Sequence, residues 1–75
     1  MNEGTITGPD LRDCACCGGY YIDIDSHTYR FYDLPENNDI DLTNATFPVY
    51  VDLDWQKVDP GCLGDEIIVE DIKKK

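Results

Sequence analysis

The sequence predicts a small all-β domain, and three observations lead to this fold class. No segment keeps apolar residues at the i, i+3, i+4, i+7 spacing of an amphipathic helix over ten residues. Several short segments instead alternate apolar and polar residues, as half-buried strands do. Short loops rich in Gly, Pro, Asn and Asp separate these segments. We therefore expect about five strands in an antiparallel meander that forms an OB-like barrel or a compact sandwich.

The length of 75 residues allows a single domain with a thin core. Domains of this size usually need disulfides, a metal or oligomerisation to be stable. Residues 1–13 are polar and show no periodicity, so we expect them to form a flexible lead-in. Residues 14–72 are the expected β domain, and residues 73–75 are an expected basic tail.

The first expected strands form a hairpin. Residues 20–25 alternate apolar and polar side chains, and residues 28–32 are aromatic and β-branched. Ser26 and His27 are therefore the expected turn between two paired strands. The composition of residues 36–39 is typical of a turn, and Ile40 and Leu42 indicate a short, weak strand after it.

The clearest strand signal covers residues 47–56. Val49, Val51, Leu53 and Trp55 share one face of this segment, while polar residues and Tyr50 occupy the other. A loop at residues 59–64 precedes the last expected strand at 66–72. Its three consecutive apolar residues at 67–69 indicate burial on both faces or a β-bulge. We expect the aromatic core residues to be Phe31, Phe47 and Trp55.

The charge of the chain argues against several classes of partner. Sixteen Asp and Glu against six Lys and Arg give a net charge of -10, and the basic residues cluster only at 73–75. Nucleic acids and anionic membrane surfaces would be repelled. No apolar run is long enough to cross a bilayer, and residues 1–9 lack the basic and apolar regions of a signal peptide.

Four cysteines in so short a chain favour a disulfide-stabilised domain in an oxidising compartment. Cys14, Cys16 and Cys17 precede the first expected strand and Cys62 precedes the last, so a bridge would join the two ends of the domain. If Cys16 pairs with Cys62, then Cys14 and Cys17 form the second pair. A bond between the neighbouring residues Cys16 and Cys17 would be strained, which disfavours the pairing that contains it. The sequence does not choose among the three possible pairings. The alternative is a site for zinc or copper(I) with all four sulfurs as ligands.

Carboxylates and tyrosines mark a possible binding face. Asp23 and Asp25 share one side of their strand, Asp52 and Asp54 share one side of theirs, and neighbouring strands would bring the four together. Such a group could bind calcium, although the spacing does not match an EF-hand loop, and a solvated acidic face is the simpler interpretation. The tyrosines expected on or near this polar face can contact a protein or carbohydrate ligand; they are Tyr21, Tyr32 and Tyr50.

Catalysis is not expected. A 75-residue chain with one small core has little room for a cleft that buries a substrate. His27, the only histidine, lies in an expected turn, where exposure to solvent is its ordinary state. Nucleophile-elbow, phosphate-loop and dinucleotide-binding motifs do not occur in the sequence.

A series of short motifs begins with Cys14-x-Cys16-Cys17-Gly18-Gly19-Tyr20 and extends over residues 14–72. Their order, and above all the Cys16-Cys17-Gly18-Gly19-Tyr20 start, resembles a functionally uncharacterised β module at the end of small bacterial envelope lipoproteins. Other matching segments are Ile22-x-Ile24, Thr28-Tyr29-Arg30, Leu34-Pro35, Phe47-Pro48, Val51-x-Leu53-x-Trp55, Cys62 and Ile68-Val69-x-x-Ile72. This chain departs from the pattern in Tyr20, where Trp is expected, and in lacking a lipid-attachment cysteine and a signal peptide.

The resemblance implies a β fold and a location in the cell envelope, and it transfers no site residue. A lipid anchor absent from this sequence would be the only expected membrane attachment. The resemblance and the residue patterns together lead us to expect a secreted or envelope module that is structural or binds a partner. A small metal-binding protein is the alternative.

Overall fold

The computed structural model describes residues 1–36, 38–59 and 61–75. Asn37, in the expected turn at 36–39, and Pro60, in the expected loop at 59–64, lie outside the described residues. The predicted fold class is confirmed, because five antiparallel strands form a curled half-barrel sheet. The strands are β1 (Asn2–Pro9), β2 (Tyr20–Ile24), β3 (His27–Phe31), β4 (Val49–Lys57) and β5 (Ile67–Lys74).

The strands follow one another across the sheet in the order β3-β2-β1-β4-β5. β1 therefore lies at the centre and pairs with β2 on one side and β4 on the other. The two edge strands approach each other, and a single parallel bridge joins Arg30 of β3 to Glu66 just before β5. The sheet is thus a partly open, OB-like barrel whose edges meet at one point.

β1 corrects the expectation of a flexible lead-in at residues 1–13. Of its residues, only Gly4 and Ile6 are buried, and a strand with one large apolar side chain leaves almost no alternation to detect. A Cβ at Gly4 would lie 3.0 Å from side-chain atoms of both Ile22 and Leu53, so a larger residue here would displace these two side chains. The neighbouring strands supply the apolar side chains that cover the centre of the sheet.

The β2–β3 hairpin is present, but its turn lies one residue earlier than predicted. Ile24 pairs with His27, so Asp25 and Ser26 are the two central residues. Both have positive φ angles, 51° and 68°. Turns of this kind match the right-handed twist of the strands, and Gly or Asn is their usual signal. Asp25 is a usual first residue of such a turn, but Ser26 stands where Gly is usual, which explains the misplaced turn.

The segment from residue 38 to 48 contains no strand, so the weak strand expected at Ile40 and Leu42 is wrong. In this segment, side-chain oxygens accept hydrogen bonds from backbone N–H groups that would otherwise pair with a neighbouring strand. Asn38 Oδ1 accepts a hydrogen bond from the N–H of Ile40, and Asp41 Oδ1 accepts from those of Thr43 and Asn44. Ile40 and Leu42 are half-buried and pack against the core from this loop.

β4 and β5 follow the predicted pattern. Val49, Val51 and Leu53 are buried on the inner face of β4. The register between the strands shifts after Asp54, so Glu70 is an extra residue on β5 and forms a bulge, one of the two alternatives expected for this strand. The other alternative, burial on both faces, is wrong, because Ile68 is 56% exposed. β5 continues to Lys74, so most of the expected basic tail belongs to the sheet.

Ten buried apolar residues fill the barrel, and all five strands contribute to them. Phe31 is fully buried, whereas Phe47 and Trp55 are half-buried and pack against this core. The buried set is Ile6, Ile22, Ile24, Phe31, Val49, Val51, Leu53, Ile67, Val69 and Ile72.

Two glycines provide a matched test of how closely the loop before β2 packs on β3. Gly19 and Gly64 both have positive φ angles, of 72° and 82°. A Cβ at Gly19 would collide with the backbone of Phe31, whereas a Cβ at Gly64 would meet nothing within 4 Å. We expect Gly64→Ala to lower the free energy of unfolding by about 1–2 kcal/mol. Gly19→Ala should cost more by at least about 1 kcal/mol.

Urea unfolding with intact disulfides measures both values. Equal losses for the two variants would contradict the close packing of Gly19 on β3.

Candidate functional site

Two loops without regular secondary structure meet beside the end of β3. The first covers residues 10–19 between β1 and β2, and the second covers the described residues between β4 and β5. Both surround Arg30, whose side chain is 0% exposed. Arg30 lies opposite Tyr21 on the outer face of the sheet, so the loops bury a residue that the sheet alone would leave in solvent.

Arg30 binds groups from both loops. Its Nε and Nη2 donate to the two carboxylate oxygens of Asp65 at 2.9 and 3.0 Å, and Nη2 also donates to Glu66 at 3.2 Å. Its Nη1 donates to the carbonyl of Gly18 at 2.9 Å and lies 3.6 Å from an oxygen of Asp10. A planar guanidinium with five N–H groups can serve such divergent partners at once.

Glu66 folds the second loop around its own carboxylate. The oxygens of this 5% exposed side chain accept hydrogen bonds from the backbone N–H groups of Cys62, Leu63 and Asp65. Gly61 makes this approach possible, because a Cβ there would collide with Glu66 Oε1. Glu66 thereby connects the loop backbone to the guanidinium of Arg30.

Asp10 has the same function in the first loop. Its side chain is 1% exposed and accepts hydrogen bonds from the N–H groups of Arg12 and Gly18 at 3.0 and 3.1 Å. The Arg12 guanidinium adds two further bonds at 2.9 and 2.8 Å. These bonds, the side-chain pair with Arg12 first among them, hold the pKa of Asp10 well below its usual range.

The disulfides have the pairing that the sequence suggested as one of three. Cys16–Cys62 joins the two loops, with Cα atoms 5.9 Å apart, and Cys14–Cys17 lies within the first loop, with Cα atoms 5.1 Å apart. In this form the four sulfurs are not thiolate ligands for a metal. Two disulfides indicate an oxidising compartment of the extracellular type.

The three tyrosines of the expected binding face do not lie together. Tyr21 packs beside Arg12, whose guanidinium carbon lies 5.8 Å from the ring centre. Tyr32 donates a hydrogen bond to the carbonyl of Cys16 at 2.6 Å, so both tyrosines border the loops. Tyr50 lies opposite Thr5 on the far side of β1 and is 57% exposed.

Tyr50 stands between two grooves. One, of about 530 Å³, lies between the ends of β4 and β5 and the loop at residues 39–46. The other, of about 340 Å³, crosses the outer face of β1 and β2. Lys75 also lines both, and its Nζ is paired with Glu3. The carboxylates that line the grooves are Glu3, Asp23, Asp25, Asp39 and Asp41.

The four aspartates proposed as a calcium-binding group are separated by β1. Asp23 pairs with Thr5 in the register of β1 and β2, while Asp52 pairs with Glu3 on the other side of β1. Asp54 lies 3.7 Å from the N-terminal amino group, and Asp25 is in the hairpin turn. In the described part of the chain, no three His, Cys, Asp or Glu side chains form a group that could hold a metal ion.

Comparison of the chain with protein-family models, with curated proteins and with solved structures finds no match. Among residues 1–36, 38–59 and 61–75, no helix is long and apolar enough to cross a membrane.

The carboxylates around Arg30 make a pH-dependent contribution to stability. Hydrogen bonds from Arg12 and Arg30 lower the pKa values of Asp10 and Asp65 in the folded state. The unfolded state therefore binds more protons as the pH falls, so this stabilisation is complete above about pH 4 and is lost below it. We expect the difference in stability between the wild type and Asp10→Asn to be largest near pH 7 and to shrink as the pH falls below about 4.

Urea midpoints of both proteins from pH 7 to pH 2, measured without reductant, test this dependence. A difference that stays constant over this range would show that Asp10 does not hold its loop as a carboxylate.

Proposed function

We propose that the protein is a small binding module of a secreted or cell-envelope compartment and that it has no catalytic activity. The observation that carries the proposal is Tyr50, a large aromatic side chain that is 57% exposed at the junction of two grooves. Tyrosine supplies a broad apolar contact at low entropic cost and a hydroxyl for hydrogen bonding, so it is common in binding surfaces. The disulfides and the resemblance to envelope lipoprotein modules support the location.

The partner that fits these grooves best is an extended, cationic protein segment. Among the described residues, the smaller groove has three carboxylates, from Glu3, Asp23 and Asp25, against the single cation of Lys75. In the larger groove, Lys74 and Lys75 balance the charges of two aspartates, so attraction there comes from the net charge of -10, which acts over about a Debye length. Ile40, Pro48 and Tyr50 offer apolar contact within the larger groove. A basic segment with apolar residues between its charges would therefore find complementary chemistry along the surface.

Metal binding has less support than protein binding. The sulfurs are paired in disulfides, and β1 separates the aspartates of the acidic face. A copper or zinc site would require reduced protein, and a calcium site would require side chains from separate strands to converge.

A peptide titration tests the proposed site. We expect a peptide of alternating Lys and Leu to shift the amide NMR signals of the two grooves. Tyr50→Ala should weaken its binding about tenfold, because loss of a central aromatic contact commonly costs more than 1 kcal/mol. Ile68→Ala is the matched control, since Ile68 is 56% exposed on β5 and lines neither groove. Its affinity should stay within about twofold of the wild type.

Equal weakening by the two substitutions would contradict a site at Tyr50. So would signal shifts spread evenly over all acidic surfaces, because they would indicate attraction by net charge alone. Shifts in the same grooves with a neutral hexasaccharide, and none with the peptide, would favour a carbohydrate ligand over a basic protein segment.

A further inference from the structure

The two disulfides are anchored differently, and this difference has a chemical consequence. We propose that Cys14–Cys17 is a thiol–disulfide exchange site for small thiols and dithiols, whereas Cys16–Cys62 is the structural bridge. This assignment is independent of the proposed binding function, because Tyr50 and its grooves lie elsewhere on the sheet.

The contacts that fix the first loop do not involve Cys14 or the sulfur of Cys17. The loop closes at its base through a backbone hydrogen bond from Asp10 to Gly19. Asp10 also accepts from Gly18, Arg30 donates to the carbonyl of Gly18, and Tyr32 donates to the carbonyl of Cys16. Among the described residues, only one further backbone bond, from Cys17 to Cys14, spans the tip of the loop. Opening Cys14–Cys17 therefore leaves the anchoring contacts in place.

The anchoring contacts also hold the ends of the other bridge together. The carbonyl of Cys16 is bound by Tyr32, and the N–H of Cys62 is bound by the carboxylate of Glu66. Arg30 links the two loops independently of any sulfur. Reduced Cys16 and Cys62 would thus stay close to each other, and a high effective concentration favours re-formation of their bond.

Loop size favours opening of the bridge at the tip of the first loop. Residues 11–15 are all exposed, and Leu11 is 86% exposed. Cys62 is also exposed, so accessibility alone does not distinguish the bridges. The sequence separation is 3 residues for Cys14–Cys17 and 46 for Cys16–Cys62, and the shorter loop restricts the unfolded chain less. The Cys14–Cys17 bond therefore contributes less to stability and is cheaper to open.

The exchange step follows from the exposure of Cys14. A thiolate of the reagent attacks Sγ of Cys14, the Cys14–Cys17 bond breaks, and its electron pair leaves on Sγ of Cys17, which takes a proton from water. With a monothiol the product is this mixed disulfide, which the thiolate of Cys17 or a second monothiol can cleave again. With a dithiol, the second thiolate attacks the reagent's sulfur in the mixed disulfide and releases Cys14, so the reagent is oxidised and the protein gains two electrons. No helix follows Cys17 to stabilise its thiolate, so the site exchanges without acting as a catalyst.

Graded reduction of the native protein tests the assignment. The protein is equilibrated with mixtures of reduced and oxidised dithiothreitol, trapped with N-ethylmaleimide and mapped by mass spectrometry. We expect Cys14 and Cys17 to be labelled at a ratio of reduced to oxidised dithiothreitol about tenfold lower than Cys16 and Cys62, a difference that corresponds to about 30 mV for a two-electron couple. Glutathione should give a mixed disulfide on Cys14. Simultaneous labelling of all four cysteines, or earlier labelling of Cys16 and Cys62, would overturn the proposal.

A pair of double variants separates exchange from unfolding. Cys14→Ser with Cys17→Ser should keep the amide NMR spectrum of β1 to β5 and a Tm close to that of the wild type. Cys16→Ser with Cys62→Ser should lower the Tm markedly more. Equal loss of Tm in both double variants would show that Cys14–Cys17 is also a structural bridge, and it would contradict the assignment.

Discussion

The buried guanidinium of Arg30 is the interaction on which the organisation of this protein depends. A cation without solvent contact is costly unless hydrogen bonds and opposite charges surround it. Arg30 has bonds to Asp65 and Glu66 and lies near Asp10, and these three acids come from the two loops beside β3. The same arginine therefore fixes both loops and joins the two edges of the half-barrel, where it bridges to Glu66.

This arrangement allows a 75-residue chain to order two long loops without helices or further strands. Each loop folds around a nearly buried carboxylate, Asp10 in one case and Glu66 in the other, and both carboxylates lie against the same cation. Among the described residues, every buried side-chain N and O atom has a hydrogen-bond partner. Cys16–Cys62 then adds a covalent link where the ionic contacts already hold the loops. The proposed exchange site at Cys14–Cys17 and the proposed binding grooves at Tyr50 lie outside these contacts.

The sequence was informative where the pattern is local. The alternation from Val49 to Trp55 located β4, and the apolar run at residues 67–69 located β5. β1 could not be recognised, because its buried residue Gly4 has no apolar side chain of its own. Side chains of the neighbouring strands pack over it instead. The five-strand count was nevertheless right, because an unpredicted strand at residues 2–9 replaced the wrong one at Ile40 and Leu42.

The candidate sites were harder to predict because their parts are distant in the sequence. Arg30 lies 35 residues from Asp65, and nothing in a single sequence marks such a pair. The position of Arg30 between aromatic residues of a strand was a weak signal of burial, because exposed strand positions also carry polar residues. Tyr50 was identified from its place on the polar face of β4. The sequence did not reveal that β1 lies between β2 and β4. For this reason it could not show that Tyr50 is separated from Tyr21 and Tyr32.

Native-state amide hydrogen exchange tests the central role of Arg30 most directly. The N–H groups of Gly18 and Leu63 bind the carboxylates of Asp10 and Glu66, in loops that contain no regular secondary structure. If Arg30 holds both loops, these amides are protected nearly as well as those of β1, and Arg30→Lys accelerates their exchange while amides of β4 such as Val51 stay protected. Rapid exchange of Gly18 and Leu63 in the wild-type protein, with a protected sheet, would contradict this account.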